Sequence, residues 1–319
     1  MSRACRFFKR LSGGTTKRLN ELTLIVLLGP TAVGKTELAL RIAEHYGCPI
    51  INCDSRQLYR GMEICTAAPT AEQQQRVRHY FVGTHEVGDY YSAAQYEQDV
   101  LALIGTLKDK YDTLLLTGGS MMYVDAVCNG IDDIPSVDEE VRQTLKERLV
   151  AGEIDLMRSE LQLLDPDYYR TADTRNPKRV VHALEVCHTT GRPYSTFLGG
   201  EKRERPFRIV KIGLRRERQE LFGRIGQRVD AMMADGLLDE ARRLYPRRQE
   251  NALNTVGYKE MFRYLDGEWE LPFAVEKIKK NTRDYAKKQM TWFAHDDTIC
   301  WFHPDEQDAI FGFLAASIP

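Results

Sequence analysis

The segment Gly29-Pro30-Thr31-Ala32-Val33-Gly34-Lys35-Thr36 constrains this chain more than any other. It fits G-x-x-x-x-G-K-[ST] and follows the apolar run Thr23–Leu28 (TLIVLL). It leads into an amphipathic stretch, Lys35–Tyr46, with Leu38, Ala39, Ile42, Ala43 and Tyr46 on one face and Gly47 as its stop. Strand, glycine-rich turn and helix in that order bring backbone N–H groups and a helix N-terminus onto one anion. Lys35 adds a positive charge, and the Thr36 hydroxyl suits Mg2+. The segment predicts a phosphate site wrapped by Gly29 to Thr36, with a parallel sheet behind it.

The next elements agree. Pro49–Cys53 reads as a second buried strand, ended by Asp54-Ser55. Ser92–Leu107 reads as a helix, and Thr113–Leu116 as a third strand ending in Thr117-Gly118-Gly119. Strands alternating with helices predict a parallel α/β sheet. After Gly130 the texture turns helical. Ser136 with Glu139 reads as a capping box before the stripe Val141, Leu145 and Leu149. Ile154–Leu164 is a second helix; a third opens on Asn176 and Pro177 and stops at Gly191. No strand pattern returns until Arg208–Leu214, and everything beyond it reads as helix, including a stripe from Leu221 to Met233 and a long basic helix over Ala274–Phe293. The fold expected is α/β: a P-loop NTPase-like parallel-sheet core over 22–131 and 206–319, a helical insertion over 132–205, and a disordered basic tail over 1–21.

Charge refines this picture. The 45 basic and 46 acidic residues nearly cancel, so the chain as a whole is no polycation. Yet Tyr168–Arg218 holds 13 basic against 5 acidic residues, and a second basic run spans Lys277–Lys288. Local positive surface on a neutral protein suits a selective polyanion site, or a solvated face with scattered counter-charges. No stretch approaches 18 consecutive apolar residues, so no membrane span is expected. The seven cysteines form no C-x-x-C; this argues against a zinc site or disulfide framework and for a reducing, cytoplasmic setting.

The third strand ends without the carboxylate that a generic NTPase would use as a second Mg2+ partner. That carboxylate sits instead at the end of the second strand, as Asp54. Parallel strands end at one edge, so Asp54 is expected beside the phosphates, either as a group acting on substrate or as a helix cap or metal neighbour.

At these residues the chain resembles the tRNA dimethylallyltransferase (tRNA isopentenyltransferase) family, in its bacterial form, from about Leu24 to Phe302. Asp54-Ser55-Arg56-Gln57-Leu58-Tyr59 is similar to the family's D-S-x-Q-[VL]-Y. Thr117–Tyr123 (TGGSMMY) is similar to G-G-T-x-x-Y, with Ser120 in place of Thr. Arg175-Asn176-Pro177-Lys178-Arg179 with Ala183-Leu184-Glu185 resembles a further motif, where His182 stands in place of a frequent Arg. Val256–Met261 and Arg283–Phe293 resemble two late motifs, the last followed by Ala294 where Arg is usual.

The resemblance implies transfer of a dimethylallyl group from dimethylallyl diphosphate to N6 of the adenosine 3′ of the anticodon. The tRNAs implied are those reading codons that begin with U. It makes Asp54, Ser120, Lys35 and Thr36 the catalytic candidates. Gly29 to Thr36 with Arg218 and Arg224 would bind the diphosphate, and Thr36 the Mg2+. The tRNA anticodon stem-loop would meet Asp54, Ser55, Arg56, Gln57, Ser120, Arg142, Lys178, Arg179, His182 and the segment Asn254, Thr255, Val256, Gly257, Tyr258 and Lys259. A monomer is implied. A carboxylate suits the removal of a proton from a poorly nucleophilic adenine amine, and Gln57 suits an adenine edge. His79 matches a family histidine and reads equally as a packed or capping residue. A P-loop kinase of small molecules or nucleotides, an AMP-directed isopentenyltransferase and a non-catalytic RNA-binding module are the competing readings. The basic helical insertion speaks against the first two.

Overall fold

The computed structural model describes residues 22–132, 134–135, 137–199 and 203–318. The expectation of a disordered tail over 1–21 lies outside them. Six strands form one sheet: β1 (Thr23–Leu28), β2 (Ile50–Asn52), β3 (His79–Tyr80), β4 (Thr113–Thr117), β5 (Arg208–Leu214) and β6 (Cys300–Phe302). Their order is β3-β2-β4-β1-β5-β6, and every pairing is parallel. Thr23 of β1 lies opposite Thr113 of β4 on one side and Arg208 of β5 on the other.

The uninterrupted apolar run of β1 follows from this position. Leu24, Val26 and Leu28 enter the core on one face of the sheet, and Ile25 and Leu27 enter the core on the other. A strand covered on both faces has no polar side to alternate with. Truncating Leu27 to Ala would leave a cavity in a close-packed layer and cost about 2–5 kcal/mol. Because all strands run the same way, their carboxyl ends share one edge. The loops after β1, β2 and β4 therefore lie side by side.

The described residues divide into two compact units, one of 22–128 with 205–318 and one within 129–204. The second unit is helical: Glu139–Val150, Ile154–Leu164, Pro166–Thr171 and Pro177–Thr190 close over Leu145, Met157, Leu161, Val180 and Leu184. The Asn176 side chain accepts from the Lys178 amide at 3.1 Å, Pro177 opens that helix, and Gly191 ends it at φ +67°. Buried Asp165 accepts from the Tyr168 amide (3.0 Å) and from the amide (2.6 Å) and hydroxyl (2.8 Å) of Ser195, so one carboxylate pins three segments.

Three expectations are corrected. The helix Glu139–Val150 is capped by Asp138, whose Oδ1 accepts from the amides of Glu140 (2.8 Å) and Val141 (3.3 Å); Ser136 lies outside the described residues. His79 sits on edge strand β3, not in a loop. The chain after Leu214 is not all helix: β6 pairs with β5, Ile212 opposite Cys300. Both missed strands are two or three residues long and only half-buried, so neither carries a readable pattern.

Candidate active site

The loop after β1 is shaped by its glycines. A Cβ on Gly29 would stand 2.7 Å from the Leu214 carbonyl, so the turn begins hard against β5. Gly34 enters the helix Lys35–Tyr46 at φ +114°, a conformation costly to other residues. Ala32 holds φ +63° without that freedom, at a cost of about 1–2 kcal/mol. Two arginines hold the loop by its carbonyls: Arg216 Nε donates to Val33 O and Arg224 Nε to Ala32 O, both at 2.9 Å. Such bonds turn the carbonyls away from an incoming anion.

Lys35 Nζ donates to Gly29 O (2.9 Å) and Pro30 O (2.8 Å), folded back across its own loop. Burial and the neighbouring Arg228 lower its pKa to about 7, against the opposing pull of Asp54. An anionic ligand there would favour the ammonium form and fix it.

Across from it, Asp54 Oδ1 accepts from the Arg56 amide at 2.9 Å, which fixes the carboxylate in a tight turn at the end of β2. Gly118 follows β4, and a Cβ there would fall 2.1 Å from the Cys53 carbonyl. Only glycine lets the two loops meet. Their meeting places Ser120 against Ser55: Ser120 Oγ accepts from the Ser55 amide at 2.7 Å and donates to Ser55 Oγ at 3.0 Å. Ser120 is only 8% exposed but still lines the cleft.

These loops open onto a cleft of about 830 Å3. From the phosphate loop Thr31, Ala32, Gly34, Lys35 and Thr36 line it, with Asp54, Ser55, Arg56, Gln57 and Ser120 beyond. Asn254, Thr255, Val256, Gly257 and Lys259 form another stretch of its wall, and His79 another point. His79 Nδ1 donates to the Val77 carbonyl (2.8 Å), and burial lowers its pKa, which leaves it neutral at pH 7. Arg56 Nη1 donates to the carbonyls of Asn251 (3.0 Å) and Ala252 (3.2 Å), and Gln57 Nε2 to those of Thr66 (3.1 Å) and Ala67 (3.2 Å).

Several expected residues stand elsewhere. Gly29, Pro30 and Val33 form the back of the turn. Tyr258 is fully buried, its hydroxyl donating to Glu240 at 2.8 Å, and supports the wall without facing the cleft. Arg218 is exposed, stacked over Phe222 at 5.2 Å, and does not line the cleft. Arg142, Lys178, Arg179 and His182 belong to the helical unit. Arg142 pairs with Glu139 (3.0 Å) and Glu185 (3.8 Å), His182 lies 3.4 Å from Glu185, and Lys178 and Arg179 are exposed.

Among the cleft residues that escaped the sequence reading, two stand out. Arg228, on the helix Arg218–Ala234, lines the cleft; burial lowers its pKa, and Asp54 opposes that. The signal was there, since the face carrying Arg224 returns four residues later. Gln289, on the helix Leu271–Phe293, stands in a motif that resemblance singled out, but nothing in the sequence gave it a task. Among the described residues no group of three His, Cys, Asp or Glu is placed to hold a metal.

A profile of the IPP transferase family matches residues 57–296. The tRNA dimethylallyltransferase 1 of Phocaeicola vulgatus is 61% identical over 292 residues, covering 92% of this chain and 97% of that protein. The tRNA dimethylallyltransferase 1 of Bacteroides fragilis is 59% identical over 296 residues, covering 93% and 98%. The crystal structure of a full-length tRNA isopentenylpyrophosphate transferase from Bacillus halodurans is similar with a TM-score of 0.67 at 34% identity, covering 93% of this chain and 96% of that one. A eukaryotic dimethylallyltransferase acting on tRNA gives a TM-score of 0.72 at 25% identity, covering 85% and 70%.

Proposed function

The chain belongs to the IPP transferase family, and we propose that it transfers a dimethylallyl group from dimethylallyl diphosphate to N6 of adenosine 37, 3′ of the anticodon, in tRNAs reading codons that begin with U. The observation that carries this reading is one cleft lined both by a phosphate-binding loop and, across from it, by a carboxylate beside a paired serine.

The donor's diphosphate sits on the amides of the phosphate loop, with Lys35 and Arg228 as the cationic partners. As the bond between the allylic carbon and the bridging oxygen breaks, its electrons pass to the diphosphate. Charge builds where amides and cations are already fixed, and such preorganised stabilisation is the largest source of rate in most enzymes. N6 of adenine forms the new bond to carbon and gives its proton to the Asp54 carboxylate. Ser120 orients the amine or the bridging oxygen. The adenine must leave its stack to enter the cleft.

Mg2+ would be held by the Thr36 hydroxyl and by oxygens of the diphosphate itself. A donor set with one hydroxyl and no carboxylate cluster among the described residues fits an ion that binds chiefly through substrate phosphates and water. It would neutralise charge on the leaving group. Arg142, Lys178, Arg179 and His182 are proposed to meet the tRNA backbone, and Asn254, Thr255, Val256, Gly257 and Lys259 the anticodon loop. The protein acts in the cytoplasm as a monomer. No described helix is long and apolar enough to cross a membrane.

The test is incubation of purified protein with dimethylallyl diphosphate, Mg2+ and unmodified tRNA, followed by nucleoside analysis. N6-isopentenyladenosine at position 37 is expected, and its absence at saturating donor overturns the reading. Asp54→Asn should lower the single-turnover rate by about 10²–10⁴-fold with tRNA affinity retained. A wild-type rate in that variant would remove Asp54 from the role of base.

A further inference from the structure

The helix Leu271–Phe293 turns one face to the cleft, through Ile278, Thr282, Tyr285 and Gln289. Gln289 is the deepest of these, 1% exposed. Its Oε1 accepts from the Thr31 amide of the phosphate loop at 2.9 Å, and its Nε2 donates to the Gly119 carbonyl at 2.8 Å. The surrounding chain is cut to this amide: a Cβ on Gly119 would stand 2.6 Å from Nε2. Gly119 directly precedes Ser120, which is bonded to Ser55, the neighbour of Asp54.

One side chain therefore joins the loop that holds the leaving group to the loop that carries Ser120. We propose that Gln289 is a positioning residue that fixes the separation of the donor and acceptor halves of the site; this rests on the prenyl-transfer reading above. The chemistry singles out glutamine. One end of the amide faces a donor and the other an acceptor, so each loop receives the group it needs from a neutral side chain. A carboxylate would satisfy Thr31 but set an acceptor against the Gly119 carbonyl and a negative charge against the diphosphate. An apolar isostere would fill the space and remove both bonds. Misplacement by about 1 Å between reacting groups costs about 10²-fold in rate, while binding of either substrate alone depends on one loop at a time.

The experiment compares wild type, Gln289→Met and Gln289→Glu in single-turnover prenyl transfer with enzyme in excess. The affinity of each for inorganic pyrophosphate and for unmodified tRNA is measured alongside. A rate constant under these conditions is a property of the folded molecules, whatever their fraction. Gln289→Met should lose about 30- to 100-fold in the rate constant while both affinities stay within about threefold. Gln289→Glu should instead weaken pyrophosphate binding by about tenfold or more through like-charge repulsion, in addition to a loss of rate. A wild-type rate constant with reduced amplitude in Gln289→Met would make the bridge purely structural and overturn the inference. Equal affinity of wild type and Gln289→Glu for pyrophosphate would overturn it too, since the amide would then not face the diphosphate loop. If the wild-type protein forms no product, the transfer reading itself falls, an outcome distinct from both.

Discussion

The cleft and the helical unit use basic residues in opposite ways. At the phosphate loop Arg216 and Arg224 are tied to loop carbonyls and Lys35 to two more, and in the cleft half-buried Arg228 donates to the Thr66 carbonyl. Their value lies in position. In the helical unit Lys178 and Arg179 stand exposed in the first turn of the helix Pro177–Thr190, at the positive end of its dipole. Two cations there cost about 0.3–1 kcal/mol each in local stability. Asn176 and Pro177 already make a sufficient helix start, so the charges add nothing to the fold. A surface meeting phosphates on a large, flexible partner needs charge more than sub-ångström geometry. Cleft cations should therefore respond to pH and shape, and surface cations to salt.

Lys35 puts that contrast under the largest strain. Burial and Arg228 lower its pKa to about 7, with Asp54 opposing. A bound diphosphate favours the ammonium and raises the pKa again. Binding above pH 7 must therefore take up a proton, and affinity for a non-reacting diphosphate ester should fall by up to about tenfold per pH unit between 7 and 9. Lys35→Arg, charged throughout, should flatten the profile even where it weakens binding. Calorimetric titration across that range is the check. A flat wild-type profile would mean that Lys35 is already fully protonated before the ligand binds and that the cleft does not tune it.

Salt probes the other side of the contrast. Replacing Lys178 and Arg179 together with Ala should weaken tRNA binding several-fold at moderate ionic strength. It should reduce the slope of log affinity against log salt by about 2, one for each phosphate no longer neutralised. Removing the two cations also relieves the helix dipole, so thermal stability should hold or rise slightly. An unchanged slope would make these residues an ordinary solvated face. The measurement is tRNA binding by filter or anisotropy titration over a salt series.

The same division between local and positional determinants governs what could be read from the chain. Elements with strong local determinants were legible. The helix Lys35–Tyr46 has its glycine stop, the helix Pro177–Thr190 its Asn176 cap and Gly191 end, and β1 its long apolar run. The phosphate loop was legible because its glycines and lysine are spaced by local geometry. What escaped depends on partners distant in sequence. Strand β6 exists only because β5 is there to pair with it. The bond between Gln289 and Thr31 joins residues 258 positions apart, and no spacing rule reaches that far. Tyr258, in a motif that suggested a tRNA contact, faces inward because buried Glu240 accepts its hydroxyl.

The smallest expected effect separates two arginines on one helix. Arg218 and Arg224 both matched a diphosphate role by resemblance, and both lie on the helix Arg218–Ala234. Six residues correspond to about 240° of turn at 3.6 residues per turn, so the two cannot share a face. Arg224 reaches Ala32 O of the phosphate loop, whereas Arg218 lies exposed over Phe222. A cation–π interaction at such a site is worth about 0.5–1 kcal/mol of local stability. Arg218→Ala should therefore change diphosphate affinity and the single-turnover rate by less than about twofold. A loss of tenfold or more in diphosphate affinity would show that the first turn of this helix swings toward the cleft when donor binds. The division between positioned and merely charged cations would then hold only before donor binds.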